Sequence, residues 1–69
     1  DTAAILKSIR TCSAKYGHCC TLGLLAILAE SYPGEYSISR ISMELGLMEL
    51  NGLICTQHGN ITITAASAT

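Results

Sequence analysis

Eleven residues in the first half of the chain, CCTLGLLAILA from Cys19 to Ala29, carry no charge and a single hydroxyl. Leu22, Leu24, Leu25, Ile27 and Leu28 would cover nearly the whole circumference of a helix. A helix that is apolar all round is stable only where something covers every side of it. The stretch is too short to span a bilayer, which takes about 20 residues. It therefore belongs at the centre of a fold, as a helix over 21–34 with Thr21 as its cap and Pro33-Gly34 closing it. The rest of a 69-residue chain has to wrap around it.

Covering elements can be read on both sides. DTAAILKSIRTCSAKYG is an amphipathic helix over 1–17, with Ile5, Ile9, Cys12 and Tyr16 at i, i+4, i+7 and i+11. Asp1 or Thr2 can cap its start, and Gly17 stands where a left-handed residue commonly ends a helix. EYSIS, 35–39, reads as a short extended piece with Tyr36 and Ile38 on one side. RISMELGLMELN is a third helix, with Ile41, Leu45 and Met48 at i, i+4 and i+7 and an Asn51-Gly52 stop. Gly46 in its middle either costs about 1 kcal/mol relative to Ala or marks a turn between two short helices. LICT and ITIT flank the loop QHGN as a β-hairpin, and AASAT should fray. The expected fold is mainly α with a C-terminal β-hairpin (α+β), in one domain over 1–69. Within it, 1–17 is the amphipathic helix, 21–52 the helical core, 53–64 the hairpin and 65–69 the tail.

A core assembled this way is thin. Hydrophobic residues make up 49% of the chain, yet there is no Phe and no Trp. Charged residues are 13%, against about 25% in ordinary domains, so the surface must be unusually apolar. A chain of this length buries only roughly 60% of its unfolded surface, and small domains take additional cohesion from a disulfide, a metal or a second chain. The expectation is a homo-oligomer or a protein partner held through apolar surface. Lys7, Arg10, Lys15 and Arg40 are the only permanent cations in a chain of net charge −1. Phosphate neutralisation supplies most nucleic-acid affinity, so this supply disfavours a strong DNA binder.

The succession of buried helix, short strand, SISRISMELGL, ELNGLI and hairpin resembles a winged helix-turn-helix domain over residues 22–64. In that family a helix ending in a Leu-Gly-Leu turn precedes the recognition helix, and a Gly-Leu-Ile phrase leads into the wing. The resemblance implies a regulatory module in which Arg40 and the Lys7, Arg10 and Lys15 face would touch phosphates. The sequence departs from the pattern between Gly46 and Gly52, where about ten residues of the recognition helix are missing. Leu47-Met48-Glu49-Leu50-Asn51 has no Arg, Lys or Gln to read base edges. A domain shortened in this way would grip a protein sooner than DNA.

Cys12, Cys19, Cys20, Cys55, His18 and His58 hold the remaining chemical potential. Four cysteines allow two disulfides in three pairings, or four reduced thiols that pack as small hydrophobes. Cys12, Cys19, Cys55 and His58 form a weak alternative set of zinc ligands, since Cys55-x-x-His58 has a usable gap but no second paired motif accompanies it. No metal or other cofactor is expected. His18 beside Cys19 and Cys20 lacks a third orienting group for nucleophilic catalysis, and Asp1, Glu30, Glu35, Glu44 and Glu49 suggest no acid–base pair. No enzymatic activity is expected. Asn60-Ile61-Thr62 fits the acceptor pattern for glycosylation. The start at Asp1 rather than Met suggests a processed product or a fragment. Two roles follow: a winged-helix-like interaction module, cytoplasmic, or an extracellular disulfide-stapled helical peptide acting as toxin, effector or signalling ligand.

Overall fold

Gly17, with φ at +81°, turns the chain out of its first helix where the sequence places the break. Its N–H donates to the Ser13 carbonyl at 2.8 Å and closes α1, Thr2–Tyr16. The computed structural model describes residues 2–64; the Asp1 cap and the 65–69 tail lie outside the described residues. Then come α2, Thr21–Ser31, α3, Ile38–Leu50, and an antiparallel hairpin of β1, Ile54–Gln57, and β2, Asn60–Ile63. The fold is therefore mainly α with a C-terminal hairpin, three helices followed by two strands.

The stripe of α1 is buried at Ile5, Ile9 and Cys12, but Tyr16 is 53% exposed. The last turn of α1 runs beyond what α2 covers. Helix α2 meets α1 at 113°; the pair has the composition of a span, but among the described residues no single helix is long and apolar enough to cross a membrane. Leu24, Ile27 and Leu28 of α2 are buried, whereas Leu22 is 71% exposed. The expectation of an all-round buried helix is corrected at that edge, since packing by α1 and α3 still leaves one side of α2 in water.

Two local expectations give way to caps. The N-cap of α2 is Cys20, not Thr21: its sulfur accepts the Gly23 N–H at 3.4 Å. EYSIS forms no strand; the Ser37 hydroxyl accepts the Arg40 N–H at 3.1 Å, and Ile38 and Ser39 become the first turn of α3. A hydroxyl cap satisfies an orphan helix donor, while an isolated short strand has nothing to pair with. The loop before it is held by the edge-to-face pair of Tyr32 and Tyr36, 6.1 Å between centroids, with the Arg40 guanidinium 4.9 Å from the Tyr36 ring.

Helix α3 runs unbroken through Gly46, so the Leu-Gly-Leu turn implied by the winged-helix resemblance is absent. It stops in a Schellman arrangement, Gly52 N–H to Glu49 O at 3.0 Å and Leu53 N–H to Met48 O at 2.9 Å, with Gly52 at φ +74°. The hairpin loop is two residues, not four. His58 and Gly59 both take positive φ, 52° and 78°, as a type I′ turn requires, and Gln57 pairs with Asn60. Ile54 and Ile61 then close the core over Ile5, Ile9, Leu24, Leu28 and Ile41.

Candidate functional site

Three of the four cysteines gather where α1 ends and α2 begins. Cys12 is on the last full turn of the buried face of α1, and Gly17 reverses the chain so that Cys19 and Cys20 return beside it. Hydrogen bonds from the hairpin fix that return: Ile61 N–H donates to Cys19 O at 2.7 Å, and Cys19 N–H donates to Asn60 Oδ1 at 3.0 Å. The Cys12 thiol donates to His18 O at 3.8 Å and sits in hydrogen-bond contact with the Cys19 thiol, which itself donates to Cys20 O at 3.8 Å. Cys19 is wholly buried, and its thiol is pushed up from 9.0 to about 12, mostly by burial and then by the Cys12 hydrogen bond and the nearby charges of Cys12 and Cys20. Loss of its proton would place an anion among aliphatic side chains.

Cys20 differs from its neighbour: it is half-buried and lines an open pocket of about 240 Å³ with Cys12, Tyr16, His18 and Gly23. Gly23 keeps that pocket open. A Cβ at Gly23 would lie 3.2 Å from the Cys12 sulfur and 3.5 Å from the Cys20 sulfur, so the two sulfurs are within about 7 Å of each other. Nothing in the sequence marks Gly23, because its role depends on two sulfurs meeting from different helices. All four cysteines are free thiols, and Cys55 stands apart, exposed on β1 opposite Thr62. Among the described residues no three His, Cys, Asp or Glu side chains converge as a metal site, so the alternative set Cys12, Cys19, Cys55 and His58 is not assembled. The two-bridge framework likewise has three thiols in one cluster and the fourth on the hairpin.

The second candidate is the outer face of α3. Met43, Leu47 and Leu50 recur at i, i+4 and i+7 and are 59%, 52% and 85% exposed. Ser39, Ser42 and Gly46 share the exposed side, and a Cβ on Gly46 would meet nothing within the chain. Glu49, at the edge of this face, accepts the Thr56 N–H at 3.3 Å and so caps the outer edge of β1. Sequence periodicity locates the inner stripe of α3 but passes over the outer one, because both repeat at helical spacing.

The cations are scattered by comparison. Lys7, Arg10 and Lys15 are exposed on α1, Lys15 with its ammonium 5.4 Å from the Tyr16 ring. Arg10 lines a groove against Thr62 and Ile63 of the hairpin. Arg40 is committed to the loop before α3, its guanidinium donating to Glu35 O at 2.8 Å. The Asn60 carboxamide, expected as a glycan acceptor, holds Cys19 in place through its oxygen. Compared with protein-family models, curated protein sequences and solved structures, the chain matches none of them.

Proposed function

We propose that this chain is a non-enzymatic interaction module, winged-helix-like in its element order, whose partner is a protein gripped by the outer face of α3. The supporting observation is that face: three large apolar side chains in one stripe, in water, at the position a recognition helix would occupy before the hairpin. It has no Lys, Asn or Gln, so it is suited to apolar contact and poorly suited to base edges. Any nucleic-acid contact would fall to Lys7, Arg10, Lys15 and Arg40, of which Arg40 already bonds its own loop.

The partner we favour is a second copy. At 1.5 Å rise per residue, antiparallel pairing centred between Gly46 and Leu47 sets Leu47 against the second copy's Gly46 and Met43 beside its Leu50. Such a stripe is self-complementary, as a two-fold interface must be. A minimal stable interface of ~1,000 Å² in total asks about 500 Å² of each copy, roughly an eighth of its 4281 Å² surface. Sedimentation velocity across a concentration series tests this. A monomer–dimer equilibrium is expected for the native chain. Leu50→Asp, at a side chain 85% exposed in the single chain, should shift it by about a thousandfold, at about 2 kcal/mol of lost burial per copy. A native chain that stays monomeric at high concentration would remove the dimer. Retention on duplex DNA that falls steeply with salt would restore the nucleic-acid reading.

The alternative, a secreted peptide stapled by two disulfides, would need Cys55, apart on β1, to pair with one of Cys12, Cys19 and Cys20. Mass measured before and after reduction and alkylation separates it: two bridges for the peptide, four free thiols for the module.

A further inference from the structure

We infer that the pocket between α1 and α2 is a thiol–disulfide exchange site for small disulfides, with Cys20 as the attacking thiol and Cys12 as the resolving one. This rests on the pocket alone and is independent of what docks on α3. Four observations carry it. Cys20, half-buried, and Cys12, 1% exposed, both line the pocket. Their sulfurs lie within about 7 Å of each other across the space that Gly23 leaves empty. The pocket, about 240 Å³ and open to solvent, admits the sulfur-bearing end of an organic disulfide beside Cys20 while the rest of the molecule stays in water. Cys19, though next in sequence to Cys20, does not line the pocket, so it takes no part in the attack.

The chemistry balances in two steps. The Cys20 thiolate attacks one sulfur of a small disulfide R–S–S–R, forming a Cys20–S–S–R mixed disulfide and releasing R–S⁻. Cys12, giving up its proton to solvent, then attacks the Cys20 sulfur, and the second R–S⁻ leaves as the Cys12–Cys20 bond forms. The two cysteines are oxidised by two electrons, and the small disulfide is reduced to two thiols. Closure requires the sulfurs to approach to about 2.0 Å, which rotation of the Cys20 side chain into the empty space beside Gly23 would allow.

Oxidised glutathione is the probe, added to the fully reduced chain, with products read by intact mass and by peptide mapping. Apart from the glutathione taken up by Cys55, the native chain should lose two hydrogens and show a cross-link between the peptides carrying Cys12 and Cys20. Cys19→Ala should give the same cross-link. Cys12→Ala should stop at the first step, gaining one glutathione on Cys20, and Cys20→Ala should show neither product at this pocket. Exposed Cys55 will take up glutathione in every variant and is the internal standard for reactivity. Because Cys12 is a core residue, far-ultraviolet circular dichroism accompanies its variant, and the mapping of the native chain stands without it. A Cys12–Cys19 bond in the native chain would overturn the proposal. So would a stable Cys20–glutathione adduct that never closes, or glutathione uptake at Cys55 alone.

Discussion

Cys19 is the residue on which most of the local structure depends. Its N–H and C=O are both taken by the hairpin, at 3.0 and 2.7 Å, and its side chain is fully buried against Cys12. Two predictions follow at this scale. Unfolded, its thiol titrates near 9.0; folded, it holds its proton to about 12. The contribution to stability is therefore complete below pH 9.0 and declines from there to about 12, as the unfolded chain loses a proton the folded chain retains. The slope approaches ~1.4 kcal/mol per pH unit. Urea midpoints taken in reductant from about pH 8 to about pH 11 should fall more steeply for the native chain than for Cys19→Ala, because the variant lacks this proton. Equal slopes would mean that the thiol titrates normally. Asn60→Ala would leave the Cys19 N–H without its acceptor, a loss of about 1–3 kcal/mol; Asn60→Asp, which keeps an acceptor there, should lose less in the same melts. These roles were not legible in the sequence. Asn60 reads as a glycan acceptor and Cys19 as one of four equivalent thiols until the hairpin is placed over residues 17–20.

At the scale of elements, much was legible and the exceptions have a common cause. The α1 stripe, the Gly17 break and the hairpin follow from spacing and left-handed glycines, which are local signals. The EYSIS strand and the Thr21 cap give way, and of the two readings of Gly46 the unbroken helix is the one observed, because each is decided by competition between a local preference and an available partner. Ser37 finds the Arg40 N–H, Cys20 finds the Gly23 N–H, and α3 continues through Gly46 because Ile41, Leu45 and Met48 are all buried on one side. Gly46 therefore costs α3 helical stability with no contact of its own in return. Gly46→Ala should stabilise the isolated fold by about 0.5–1 kcal/mol, measured by urea denaturation in a Leu50→Asp background that keeps the chain monomeric. In the native background the same methyl stands at the crossing point of the proposed dimer and should weaken association by about 1–3 kcal/mol, read by sedimentation. A methyl that leaves association unchanged would place the contact elsewhere than Gly46.

The molecule as a whole is closed as tightly as its length allows. Its radius of gyration is 10.8 Å, against about 11 Å expected for a folded chain of 69 residues, so the exposed apolar side chains are not the result of loose packing. Leu22, Met43, Leu47 and Leu50 remain outside because none of the elements among the described residues covers them. The composition already implied such a surplus, but which residues form it depends on how α2 and α3 turn against α1, and that cannot be read from spacing alone. A dimer that covers the surplus binds only the folded state, so folding and association are linked by mass action. The melting temperature of the native chain should then rise with protein concentration. A monomeric domain shows no such dependence. For Leu50→Asp the curve should be flat, and at low concentration, where both are monomers, it should lie below the native curve only by the ~0.3–1 kcal/mol that an acid in the last turn of α3 costs. Because Leu50 is 85% exposed, its substitution removes almost nothing from the folded monomer, which makes the dilute limit an internal check on the comparison. If the variant melts much lower even there, Leu50 contributes to the monomer itself; if the native curve is as flat as that of the variant, the α3 face is stable in water without a second copy.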